Sequence, residues 1–204
     1  MASWLSAWPC MNYLAHIYLS GNDQQILCGN FIGDGIRRKE SMHFSHGVRR
    51  GIELHHFIDG FTDHHPETEN ARKLLRPVLR KYAGVALDIY FDHFLGAKWN
   101  QFHEQALEHF AHNCHGLLDT FEPRMPEKSR RFYHYMKAHN WLVNYRDMKA
   151  LNTVFAGMSR RSRFPNNMHI AVELLEVHYE ELGAHFERFF PELQRASSRF
   201  LDQK

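Results

Sequence analysis

The run VLRKYAGVALDIYFDHFLGAKW, residues 78–99, returns Val78, Tyr82, Val85 and Ile89 to one side of a helix, and Phe94 extends its apolar content. That spacing follows the 3.6-residue period and cannot line one face of a strand, whose side chains alternate. The same period recurs along most of the chain, while alternating runs of β-branched residues are nearly absent. A chain patterned this way buries its apolar stripes by packing helix on helix. The expected fold class is all-α, a single-domain helical bundle.

The 204 residues, 44% hydrophobic and 14% aromatic, are enough for one bulky core, and nothing reads as a linker, repeat or low-complexity tract. The segment MASWLSAWPC, residues 1–10, has no basic region and too short an apolar run for a signal peptide. It is read as an extension outside the fold, with residues 11–204 forming the domain. Expected helices cover about 11–20, Asp23 to Arg38, and 46–62 after a cap at Ser45. Another begins at Pro66 and is kinked or ended by Pro77. The remainder fall at about 99–121, 127–143, 147–157 and 168–188, with a short terminal helix after Pro191.

Composition removes several function classes. Cys10, Cys28 and Cys114 are odd in number, widely spaced and form no CxxC pair. They argue against a disulfide framework or a thiolate zinc site and for a reducing, cytoplasmic setting. No apolar run is long enough for a membrane helix. A net charge of +2 is too small to imply nucleic acid. GDGIRRK lacks the spacing of a P-loop, and no serine nucleophile elbow occurs. The count of 17 histidines is the unusual figure. They begin to charge below about pH 6.5, so charge and any metal affinity depend on pH.

Those histidines cluster near acids. In GIELHHFIDGFTDHHPE, residues 51–67, His55, Asp59 and Asp63 recur every fourth residue, one helical turn apart. Asp88 and Asp92 repeat the spacing in LDIYFDHFL, with His93 adjacent, and Asp34 lies in GNFIGDG. Imidazole and carboxylate together suit divalent ions such as Mn²⁺, Fe²⁺ or Zn²⁺. Asp92 falls on the apolar face of its helix, where a carboxylate is costly unless paired or bound to a cation. Each group alone has a plainer explanation. A single His/Asp pair is usually a surface ion pair, His64 and His65 can cap the helix that starts at Pro66, and His16 reads as a satisfied core histidine. The conjunction favours a metal site. Arg37, Arg38, Arg49 and Arg50 flank it in sequence, either as a solvated face or as a cationic surface for a phosphate-bearing or acidic partner.

MNYLAHIYLS, GNFIGDGIR, GIELHHFIDGFTDHHP and LDIYFDHFLGAKW resemble the acyl carrier protein phosphodiesterases, also called acyl carrier protein hydrolases. WLVNYRDMKALNTVFAGMSRR and VHYEELGAHFERFFPEL resemble that family's C-terminal half, so the likeness runs in order over about residues 11–195. The family is similar to the HD-type metal phosphohydrolases, with a distorted His/Asp motif; here the adjacent pair is reversed, as Asp92-His93. The resemblance implies an all-α fold, Mn²⁺ as cofactor (Mg²⁺, Fe²⁺ or Zn²⁺ as alternatives), and holo-acyl carrier protein as substrate. The reaction would release 4′-phosphopantetheine and apo-protein, a step of prosthetic-group turnover in fatty acid biosynthesis.

Asp34 matches a family position associated with activity. With it, His55, Asp59, Asp92 and His93 are expected to hold one or two ions. Asp63 or Asp88 would orient the attacking water or accept its proton, and His56 or His64 would protonate the leaving serine alkoxide. Arg37, Arg38, Arg49 and Arg50 would steer the acidic carrier protein. Two other functions fit the same residues: an HD-like phosphohydrolase for a small nucleotide or other phosphodiester, and a non-catalytic helical module that binds acidic proteins.

Overall fold

The computed structural model describes residues 12–162 and 166–203. The expected extension at residues 1–10 lies outside them. Every regular element among the described residues is helical, in agreement with the periodicity. Helix α1 spans Tyr13–Tyr18 and α2 spans Gln24–Ile32, where the Asp23 carboxylate accepts the amides of Gln25 and Ile26 and so caps α2. Helix α2 stops at Ile32 and does not continue to Arg38. Gly33 and Gly35, poor helix formers, instead frame a 3₁₀ turn that carries Asp34, and a short α3 follows at Arg38–Ser41.

Helix α4 spans His46–His64, and Ser45 occupies the position before it. The Ser45 hydroxyl does not cap α4; it donates to Gln25 Oε1 and ties α4 to α2. Helix α5 spans Pro66–Leu79, with Pro66 in its first turn as expected. Pro77 sits inside its last turn, and the break falls at Arg80, whose φ of 50° cannot continue a helix. Helix α6, Ala83–Ala97, is buried on nearly every side and forms the centre of the core.

Helices α7 (Leu107–Phe121), α8 (Glu127–Ala138), α9 (Trp141–Asn144), α10 (Met148–Arg161) and α11 (Ala171–Val177) follow it along the chain. The expected helix at 127–143 divides because Asn140 adopts a left-handed conformation, with φ of 49°. Helix α12, Tyr179–Asp202, runs straight through Pro191, where the sequence predicts an end. Leu182, Phe186, Phe189, Phe190 and Leu193 bury a continuous stripe on both sides of the proline, and this packing outweighs one lost helical hydrogen bond. No described helix is long and apolar enough to cross a membrane.

Two contacts fix how α1, α2, α4 and α6 sit against one another. A Cβ on Gly29 would lie 2.0 Å from the Val48 carbonyl oxygen, and one on Gly51 would lie 2.1 Å from that of Ile26. Helices α2 and α4 therefore cross backbone to backbone, and only glycine fits at either position. At the other contact, the Asp92 carboxylate on α6 receives the amides of Leu14 and Ala15 at 2.8 and 2.9 Å. These are first-turn amides of α1, which have no partner within their own helix. The buried acid on the apolar face of α6 is thus paired with a helix N-terminus.

Candidate metal centre

Three elements converge behind the α2–α4 crossing. Helix α1 contributes His16 and α4 contributes His55 and, one turn later, Asp59; one donor atom from each lies within 4.8 Å of the others. The histidine rings stack with centroids 4.2 Å apart. His16 Nε2 stands 3.2 Å from Asp59 Oδ1 and His55 Nε2 stands 3.3 Å from Asp59 Oδ2. Both rings are 1% exposed, whereas the Asp59 side chain is 28% exposed and opens the cluster to solvent. Helix α2 supports the rings from behind: Asn30 Oδ1 lies 2.7 Å from His16 Nδ1, and the Asn30 main-chain carbonyl lies 2.8 Å from His55 Nδ1. Gly33 closes the pocket, since a Cβ there would sit 2.5 Å from His55 Cβ and Cγ.

Electrostatics decide what this arrangement suits. Burial, reinforced by neighbouring His16, pushes the His55 pKa down to about 3, so the ring is neutral near pH 7. A carbonyl only accepts, so the single proton of His55 resides on Nδ1 and its lone pair on Nε2. The Nε2 atoms of His16 and His55 are buried and make no hydrogen bond. Two imidazole nitrogens therefore confront a carboxylate without a hydrogen bond between them, an arrangement that a cation among the three would stabilise. Adjacent ligands about 2.0–2.2 Å from one ion are separated by roughly 3.0–3.4 Å, which the observed 3.2 and 3.3 Å match. Two nitrogens and one carboxylate, with a solvent-facing side left for water or substrate, form a donor set of catalytic type.

Of the residues singled out from sequence, only His55 and Asp59 belong to this trio. Asp34 is exposed on the 3₁₀ turn beside Gly33 and lines a small cleft with Tyr13, Lys128, Ser129 and Phe132. His56 is exposed and meets His55 edge to face at 5.7 Å. Asp92 is wholly buried and spent on α1; burial raises its pKa against the opposing pull of the two amides. His93 is held at both ring nitrogens, by the Tyr145 carbonyl at 2.9 Å and the Tyr179 hydroxyl at 3.2 Å, and neither it nor Asp92 joins the cluster. Asp88, one turn before Asp92 and half-buried, is not among the converging groups either.

Asp63 faces outward and pairs with Arg72 at 2.8 Å. His64 is exposed and donates back to the Gly60 carbonyl, while His65 Nδ1 accepts the Glu67 amide and caps α5. Arg37 is exposed; the Arg38 side chain is not among those described. Arg49 lies against Met42 Sδ at 3.7 Å. Arg50 donates to the Phe200 and Gln203 carbonyls and covers the Phe200 ring, closing the C-terminus of α12.

His16 is the member that sequence spacing missed. It sits alone on an apolar segment with no acid at helical spacing, and its partners arrive from α2 and α4. The one available signal was Asn30, a polar residue on the inward stripe of α2 that must find buried partners.

The chain is similar along nearly its whole length to known proteins. The family model for acyl carrier protein phosphodiesterase matches residues 11–193. Acyl carrier protein phosphodiesterases of Escherichia coli O6:H1 and Salmonella agona are each 32% identical over 190 residues, which cover 93% of this chain and 98% of the relative. No solved structure matches the chain. With a matching family model and relatives aligned end to end, the chain belongs to the acyl carrier protein phosphodiesterase family.

Proposed function

We propose that this protein hydrolyses the phosphodiester that joins 4′-phosphopantetheine to a serine of holo-acyl carrier protein, with a divalent ion, most simply Mn²⁺, held by His16, His55 and Asp59. Family membership supports the reaction class and substrate. The observation that carries the metal is the convergence of three donor atoms with no hydrogen bond at either histidine Nε2. An ion bound there supplies Lewis acidity, drawing charge from a phosphoryl oxygen and lowering the pKa of a bound water.

The chain's own residues divide the remaining work. The buried rings and the Gly33 wall exclude water from one side of the trio, so substrate and solvent approach past Asp59. Asp34, on its exposed turn next to that wall, is the acceptor assigned to the proton of the attacking water. His56, adjacent to His55 and solvent-facing, is the proton donor to the departing serine oxygen. Asp63 and His64 drop out because both face away into contacts of their own. The cationic rim includes Arg37, with Lys128 beside Asp34, whereas Arg50 is committed to α12. The setting expected from the reducing cysteine pattern is the cytoplasm.

Purified protein with Mn²⁺ converts holo-carrier protein to the apo form, read as the loss of the phosphopantetheine mass in an intact-protein spectrum. Absence of that loss across a range of divalent ions and carrier proteins refutes the assignment. Turnover of small nucleotides without carrier protein would point to the simpler phosphohydrolase instead.

A further inference from the structure

We propose that Asn30 is the positioning residue of the metal centre, holding His16 and His55 in the single tautomer that turns Nε2 of both rings toward Asp59. This rests on the reading of His16, His55 and Asp59 as a metal-holding trio.

The direction of each hydrogen bond follows from what each atom is able to do. Asn30 Nδ2 lies 2.8 Å from the His16 main-chain carbonyl and 2.9 Å from Ser20 Oγ. A carbonyl only accepts, so the NH₂ end of the amide must face it. The Ser20 hydroxyl already donates to the same carbonyl at 2.8 Å, which leaves its oxygen to accept from Asn30. The amide orientation is thereby fixed, and Oδ1 is the end that meets His16 Nδ1 at 2.7 Å. That oxygen also only accepts, so the hydrogen sits on His16 Nδ1.

The main-chain carbonyl of the same residue imposes the same choice on His55 at 2.8 Å. Asn30 is wholly buried, so no water competes for these bonds. In the opposite tautomer, either ring would aim a lone pair at an oxygen of Asn30 and an N–H at Asp59. The cluster would then close on itself as an ordinary hydrogen-bonded triad with no nitrogen donor left for an ion. Partners of this kind, which orient the ring of a ligating histidine, are worth tenfold to a hundredfold in metal affinity, as a rough range.

The test is a long-range ¹H–¹⁵N correlation spectrum of the metal-free protein, with the two rings identified by signals lost in His16→Gln and His55→Gln. Both rings are expected to be protonated at Nδ1. Asn30→Ala should move His16 toward Nε2 protonation and weaken Mn²⁺ binding, measured calorimetrically, about tenfold to a hundredfold. Asn30→Asp, as the neutral acid with its O–H turned to the His16 carbonyl, keeps an oxygen facing Nδ1 and should restore the tautomer and most of the affinity. An Nε2-protonated His16 in the wild type overturns the proposal. So does an Asn30→Ala variant with unchanged tautomer and affinity. A wild-type chain that takes up no divalent ion refutes the metal reading, whereas the tautomer pattern tests Asn30 separately. If Asn30→Ala fails to fold, the wild-type spectrum and Asn30→Asp decide.

Discussion

Nδ1 of His55 donates to the main-chain carbonyl of Asn30 over 2.8 Å, a bond between residues of two different helices. It exists because α2 and α4 cross with glycine on both sides, bringing a helix carbonyl within reach of a buried ring. The carbonyl sets which nitrogen of His55 keeps its lone pair, and burial keeps the ring neutral. Backbone proximity thus sets which nitrogen of His55 faces the proposed metal site.

The crossing makes two glycines of α4 behave oppositely. In Gly51→Ala the added methyl would meet the Ile26 carbonyl at 2.1 Å, forcing the helices apart at a cost of about 3 kcal/mol. Gly60→Ala meets nothing within 4 Å and should stabilise by about 0.5–1 kcal/mol through helix propensity. Urea unfolding of the two variants checks this; equal effects would mean that the helices are not in backbone contact.

Asp92 anchors the helix that carries His16. Replacing it with Ala strands the Leu14 and Ala15 amides in the core and should cost about 2–4 kcal/mol. Because α1 is then held less firmly, Mn²⁺ affinity should fall in the same variant although Asp92 is not in the trio. A loss below about 1 kcal/mol in chemical denaturation would contradict this pairing.

Burial lowers the pKa of His93, which is held neutral between Tyr145 and Tyr179. The unfolded chain therefore binds this proton more readily than the folded one. Stability is fully present above about pH 6.5 and is lost as pH falls from there toward the lower folded value. In the presence of a chelator, the urea midpoint should drop across that window. His93→Asn, whose amide can keep the bond to the Tyr145 carbonyl, should flatten the slope. Identical slopes in the two proteins would rule out His93 as a contributor.

Arg37 and Arg50 separate binding from folding. Arg37→Glu should slow association with the acidic carrier protein about threefold to tenfold at low salt, with the difference shrinking as salt rises and the melting temperature unchanged. Arg50→Ala should instead lower stability by about 1–2 kcal/mol, because the last carbonyls of α12 lose their donor. Stopped-flow association and thermal melts distinguish the two; a reversed pattern would place the docking face at Arg50.

Much of the fold is legible in the sequence for a local reason. Helical period, Asp23 and Asp147 as caps and Pro66 in a first turn are written within a few residues of where they act. His55 and Asp59 share a helix, so their alignment is legible too. Asp92 reads correctly as an acid on an apolar face, yet sequence spacing does not say whether a cation or a helix N-terminus satisfies it. His16 requires the α1–α2–α4 packing, and Asp34 lands on an exposed turn because the glycines on either side of it end the helix. Pro191 misleads for the complementary reason: its local penalty is visible, and the long apolar stripe that overrides it is tertiary.

The measurement closest to the central claim is holo-to-apo conversion by intact mass, run with Mn²⁺ on the wild type and on His16→Gln. Loss of the phosphopantetheine mass with the wild type, its suppression by chelator, and its near absence in a variant that retains helical circular dichroism are the predicted results. A folded His16→Gln protein that converts carrier protein at the wild-type rate would contradict the account, because the trio would then not be the site of the chemistry.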